Sequence, residues 1–215
     1  MALSDPEKLA RYVQTLPDFE FYQTIDGNYD HIGATVADAI LQANNKYSTH
    51  VKPRVNRIRA LYPEARTTSS VLRLLESIPA TEYLDWRGID RAKRFSQVLI
   101  LFATEGIEVE LDLREWLSQE SSLGKLRAIK GIGPKTVDYF KILVGVSTSA
   151  IERHLLKFLE LAGLTPCGYL DAQAIINATA DILSVNQAYF DHSIWQFMSK
   201  GGVISQACEC DGYRA

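Results

Sequence analysis

Apolar side chains recur along this chain with the period of an α-helix nearly throughout. Ile32, Val36 and Ile40, continued by Ala43, step by three or four, as do Ile151, Leu155, Leu159 and Ala162. Ala92, Phe95, Leu99 and Phe102 form a third stripe, with Asp90 placed to cap its start. The same periodicity predicts helices over about residues 6–14, 49–62, 69–77, 111–119, 171–183 and 189–200. No long segment alternates with period two, and Asp26-Gly27 and Asp211-Gly212 lack the β-branched flanks of a hairpin. Breakers at Pro17, Gly27, Pro63, Pro79, Gly88, Gly106, Pro166 and Gly201-Gly202 cut the chain into about ten short helices. The predicted fold class is all-α.

Composition narrows the protein class. With 215 residues, 47% apolar and 23% charged, the chain can bury a core of its own and is neither disordered nor fibrous. Its longest apolar run, residues 98–103, is far too short to span a membrane, and the N-terminus has no apolar signal core. Three cysteines, Cys167, Cys208 and Cys210, fit reduced thiols better than a disulfide framework. These features predict a soluble protein of the cytoplasm, nucleoid-associated in a bacterium, or of the nucleus.

Net charge alone argues against a nucleic-acid partner, but the −3 average hides a split. Residues 46–94 carry eleven Lys or Arg against five acids, and a second basic cluster follows at Lys125, Arg127, Lys130, Lys135 and Lys141. Clustered cations on an acidic chain point to one basic face toward a polyanion, the alternative being solvated helix faces.

One segment carries chemistry. In Lys130-Gly131-Ile132-Gly133-Pro134-Lys135, two glycines permit a tight turn and Pro134 opens a new helix, where its missing N–H costs no hydrogen bond. Backbone N–H groups at the positive end of a helix attract phosphate. This is a candidate helix–hairpin–helix that grips a DNA backbone without reading sequence, the alternative being a glycine-capped helical turn. Lys135 stands second in its helix, where a cation opposes the macrodipole. The same field, with Lys130 nearby, lowers an amine's pKa and frees it as a nucleophile; a solvated lysine on a DNA-facing loop is the other reading.

Residues 126–140, followed by Gly145-Val146-Ser147-Thr148-Ser149-Ala150-Ile151-Glu152-Arg153-His154, resemble the helix–hairpin–helix DNA glycosylase superfamily that includes endonuclease III. The resemblance extends to residues 28–45, similar to the helix and loop that wedge into DNA, to Gly88-Ile89-Asp90-Arg91-Ala92-Lys93-Arg94, and to Asp191-His192-Ser193-Ile194-Trp195. It implies two helical subdomains flanking a DNA-binding cleft: residues 29–144, ending in the hairpin, and residues 1–28 with 145–215. It implies a base-excision glycosylase with AP-lyase activity, in which Lys135 attacks C1′ of a flipped nucleotide, expels a damaged or mismatched base and forms a Schiff base. Glu152 stands where bifunctional members carry a catalytic aspartate. A carboxylate there stabilises the cationic sugar, but Ser149-Ala150-Ile151-Glu152 also reads as a capping box, and the added methylene leaves room for a DNA-binding relative that has lost activity.

By the same resemblance Lys130, Gly131, Ile132, Gly133 and Pro134 hold the DNA backbone, and Asn44 and Asn45 fill the gap left by the flipped base, unless they merely end an Asn-rich helix. Tyr22, Tyr29, Tyr47 and Tyr139 are candidates to stack on a base or to pack in the core. His154 and His192 read as structural. Relatives hold an iron–sulfur cluster on four cysteines; three cysteines with this spacing predict none. No metal or other cofactor is expected, a monovalent cation at the hairpin being the one ion allowed for. The expected partner of this monomer is double-stranded DNA with a lesion or abasic site, and no membrane.

Overall fold

The computed structural model describes residues 3–201. Among them are twelve α-helices, one π-helical turn and no strand, so the chain is all-α. They divide into two compact units, one from Asp26–Val146 and the other built from the chain's two ends, up to Ile25 and from Ser147 onward.

In the second of these, α1 (Asp5–Thr15) lies against α11 (Tyr169–Ile182), and α12 (Gln187–Ser199) against both α11 and α10 (Arg153–Leu161). Leu9, Val13, Leu155, Phe158, Phe190 and Ile194 form its core. Glu7 starts α1 by accepting from the Ser4 N–H at 2.8 Å.

The Asp26–Val146 unit is organised round α2 (Ile32–Leu41), whose ten residues are all buried. A helix apolar on nearly every side belongs at the centre of a core. The chain continues as a π-helical turn (Tyr47–Val51), α3 (Lys52–Leu61), α4 (Thr68–Leu75), the single turn α5 (Ala80–Tyr83), α6 (Ile89–Thr104), α7 (Glu110–Leu117), α8 (Glu120–Arg127) and α9 (Pro134–Leu143). Of these, α3, α6 and α9 pack directly on α2. The N-cap of α2 is the buried His31, whose Nδ1 accepts from the Ala34 N–H at 3.2 Å while Nε2 lies 3.1 Å from the Tyr62 carbonyl. An accepting Nδ1 places the proton on Nε2, and burial holds this neutral ring's pKa below its usual value. From α7, Glu110 accepts from the Tyr29 and Asp30 N–H groups at 3.1 Å each and from the Thr35 hydroxyl, fixing the approach to α2.

Three local expectations are corrected. The predicted helix over 49–62 is a π-helical turn followed by α3, because Pro53 has no N–H to donate and the Lys52 N–H reaches back five residues to Tyr47. Asp90 is not the cap of α6; Gly88 is, with its Cα against the Trp86 ring, and Asp90 lies in the first helical turn. The Ser149–Glu152 capping box does not form. The Ser149 hydroxyl donates to Asn177 Oδ1 at 2.7 Å, residues 147–152 stay out of helix, and Glu152 is itself the N-cap of α10.

Candidate active site

The Lys130–Lys135 segment joins α8 to α9, two helices in contact. Gly131 has φ +88°, a left-handed conformation that disfavours any side chain, and a Cβ there would lie 2.0 Å from Arg94 Nη2. Gly133 is different. Its φ of −102° suits any residue, and a Cβ would meet nothing within 4 Å, so the surface beside it is open. Ile132 is turned inward and buried, fastening the turn to the core. Pro134 is the first residue of α9 and Lys135 the second, while the Gly133 carbonyl accepts from the Thr136 and Val137 N–H groups.

On α9, Lys135 and Tyr139 stand one turn apart, and on the facing α2 so do Asp38 and Gln42. They meet as two rungs. The Tyr139 hydroxyl donates to Asp38 Oδ1 at 3.1 Å, and Lys135 Nζ donates to Gln42 Oε1 at 3.4 Å. Asp38 has no solvent exposure and collects two further tyrosines on Oδ2: Tyr29 at 2.5 Å and Tyr47 at 3.0 Å. Burial pushes its carboxyl up to about 6 against the opposing pull of the three hydroxyls. The same burial, then the Asp38 charge, pushes all three tyrosines well above their usual range. Tyr29, Tyr47 and Tyr139 therefore point their polar ends at one carboxylate. Tyr22, in the other unit, lies edge-on to His192 with ring centres 5.3 Å apart.

Neither asparagine is in this cluster. Asn44 is exposed in the left-handed region at φ +58°, and Asn45 Nδ2 donates to the Leu41 carbonyl at 2.5 Å, ending α2. Two arginines of α6, three residues apart, tie the neighbouring loops to one helix. Arg91 Nη2 donates to the Ala43 carbonyl at 2.5 Å and Arg94 Nε to the Lys130 carbonyl at 2.8 Å. Trp86 lies under Arg91 and Arg54, 4.7 and 5.1 Å from its ring centre.

The basic clusters are partly neutralised within the fold. Lys125 pairs with Glu105, Arg127 with Glu120 and Lys141 with Asp138, while Lys130 and Lys135 flank the turn itself. Lys52, Arg54 and Arg66 pair with Asp26, Asp85 and Asp30.

In the other unit, half-buried Glu152 caps α10 through Oε1, which accepts from the His154 N–H at 2.9 Å and lies 2.7 Å from His154 Nδ1. The His154 ring packs edge-on to Trp195, and Trp195 stacks on His192. His154 thus touches a candidate catalytic carboxylate, a role that spacing did not indicate. Cys167 is exposed, and Cys208 and Cys210 lie outside the described residues. Among the described residues no three His, Cys, Asp or Glu side chains gather as for a metal, and no helix is long and apolar enough to cross a membrane.

The sequence model of a family described as a domain of unknown function, DUF8548, matches residues 7–199, and the chain belongs to that family. No curated protein and no solved structure matches it.

Proposed function

We propose that this protein is a base-excision DNA glycosylase with AP-lyase activity, acting through Lys135. The observation that carries the reading is the turn between α8 and α9: a left-handed Gly131, an open surface at Gly133, and a lysine at the second position of α9. As a helix–hairpin–helix it grips phosphate with backbone N–H groups at a helix N-terminus, with Lys130 beside it. At an abasic site the Lys135 amine adds to C1′ of the open sugar and water leaves, forming the imine. Loss of a proton from C2′ then breaks the C3′–O bond, and the 3′ phosphate departs with the electron pair. On an intact nucleotide the same amine displaces the base, which leaves with the glycosidic electrons and a proton. The resemblance gives Glu152 the role of the family's carboxylate; within its own unit it caps α10 and touches His154.

The test is borohydride reduction of the protein with a duplex containing an abasic site. A Schiff base is reduced to a stable amine joining protein to DNA, and Lys135→Ala abolishes it. A wild-type protein that binds the duplex tightly without crosslinking or nicking it is instead a DNA-binding relative without lyase chemistry. A panel of duplexes, each with one damaged or mismatched base, then identifies the substrate base.

A further inference from the structure

The most unusual group in the Asp26–Val146 unit is Asp38. An aspartate with no solvent exposure normally faces a cation. Here its direct partners are three phenol hydroxyls, contributed by the segment before α2 (Tyr29), the π-helical turn (Tyr47) and α9 (Tyr139). Tyr29 and Tyr47 also touch each other, oxygen to oxygen, at 3.2 Å. Three donors nearly fill the four lone-pair directions of a carboxylate, and such a set is well satisfied only while the group is ionised. A protonated carboxyl must donate, and one tyrosine loses its acceptor.

The second rung lies one helical turn away. Gln42 aims its amide oxygen at Lys135 Nζ, while its Nε2 is buried without a hydrogen-bond partner. Turning the amide over would set two donors against each other at Lys135, so an unsatisfied N–H is retained to keep an acceptor facing the lysine. Both rungs rise from the same face of α2 and end on the same face of α9.

The geometry points to Asp38 as a positioning residue for Lys135: through Tyr139 its carboxylate fixes the register of α9 against α2, and that register sets the lysine against Gln42 for attack. This rests on the lyase reading of Lys135. The charged groups around Asp38 are Asp26, paired with Lys52, and on α9 Lys135 and the Asp138–Lys141 pair. Arg59 lies over the Tyr29 ring at 5.3 Å, and Glu110 accepts from the Tyr29 N–H. Three tyrosines donate directly to Asp38, and of these Tyr139 belongs to the helix that carries the lysine.

The experiment compares Asp38→Asn, Tyr139→Phe and Tyr29→Phe in the full chain. Each phenylalanine removes one hydroxyl from the same carboxylate, but only Tyr139→Phe cuts the link to α9. Single-turnover cleavage of an abasic duplex is followed from pH 5 to 8, with binding to a duplex carrying a tetrahydrofuran abasic analogue. The amine itself is followed by NMR after reductive ¹³C-methylation, its signal assigned by its loss in Lys135→Ala. Tyr139→Phe and Asp38→Asn should slow cleavage by roughly tenfold to a hundredfold, the scale of a 1 Å misplacement, with binding changed less than about twofold. Tyr29→Phe should stay within about threefold, and wild type, unlike Asp38→Asn, should show a rate step near pH 6. The Lys135 signal should move in the first two variants and not in the third. Equal rate losses in the two phenylalanine variants, or a Lys135 signal unmoved by Tyr139→Phe, would overturn the assignment. If wild type neither cuts nor crosslinks, the lyase reading fails. The Lys135 signal then decides alone: movement in Asp38→Asn and Tyr139→Phe upholds the positioning, and its absence refutes it.

Discussion

Replacing Asp38 by asparagine tests the burial of that carboxyl through stability alone, without any assumption about function. The group ordinarily titrates at 3.8 and is raised to about 6 in the folded protein. At 1.36 kcal/mol for each pKa unit, the folded state disfavours the ionised carboxyl by about 3 kcal/mol. The sign follows from proton counts. Between pH 4 and 6 the folded chain holds this proton and the unfolded chain does not, so wild-type stability falls as pH rises through that window and levels off above it. Asparagine fills the same volume but cannot ionise, and so has no such dependence. The gap between Asp38→Asn and wild type should therefore move in favour of the variant by about 2 kcal/mol from pH 4 to 7, where the unfolded carboxyl already starts half ionised, or about 4–8 °C in Tm for a chain of this size. The neutral His31 cap loses stability as pH falls below 6.5, the opposite trend, but it is common to both proteins and cancels in the difference. Urea titrations at four pH values give the result directly. A gap constant to within about 0.5 kcal/mol, or one that moves in favour of wild type as pH rises, would show that Asp38 is not a buried, destabilised carboxylate.

The remaining predictions concern DNA. Gly133→Val should leave the melting temperature nearly unchanged and weaken binding to all duplex sequences alike, whereas Gly131→Val should destabilise the fold by roughly 1–3 kcal/mol because its φ is left-handed; calorimetry and titration separate the two. Binding to any duplex should weaken by an order of magnitude or more between about 50 and 200 mM salt, measured by fluorescence anisotropy, and a flat response would remove the phosphate-gripping role of the turn. Arg91→Ala should free the Ala43–Asn45 loop, seen as faster amide exchange there, and lower affinity for duplex DNA severalfold. Glu152→Gln can still accept from the His154 N–H, so at most about 1 kcal/mol of stability should be lost; a cleavage rate reduced by roughly 10²-fold would assign the charge to the transition state, and an unchanged rate would leave it a cap.

The helical character of this chain, the approximate position of its long helices and the turn at residues 130–135 follow from local rules. Period and breakers act over a few residues, so Ile32, Val36 and Ile40 mark α2, and Pro134 marks the start of α9, wherever the rest of the chain goes. Boundaries were less legible where a partner from elsewhere decides them. Glu152 looked like the far end of a capping box, yet Ser149 is drawn to Asn177, 28 residues away, and the cap shifts to Glu152 itself. Asp90 was outcompeted because Gly88 lets the backbone close on Trp86.

The sequence singles out Tyr29, Tyr47 and Tyr139, but neither Asp38 nor the meeting of the three on it. The members of this cluster lie at positions 29, 38, 47 and 139, with no local spacing that marks them, and an aspartate inside an otherwise apolar helix resembles a surface interruption until α9 is laid against it. Lys135 could be placed at the second position of its helix from sequence, but its neighbours Gln42, Asp38 and Tyr139 could not. Local propensity specifies which residues are helical; only the packing of α2 on α9 decides which side chains share a low-dielectric interior, and there a carboxylate must find its hydrogen bonds from whatever donors the fold delivers.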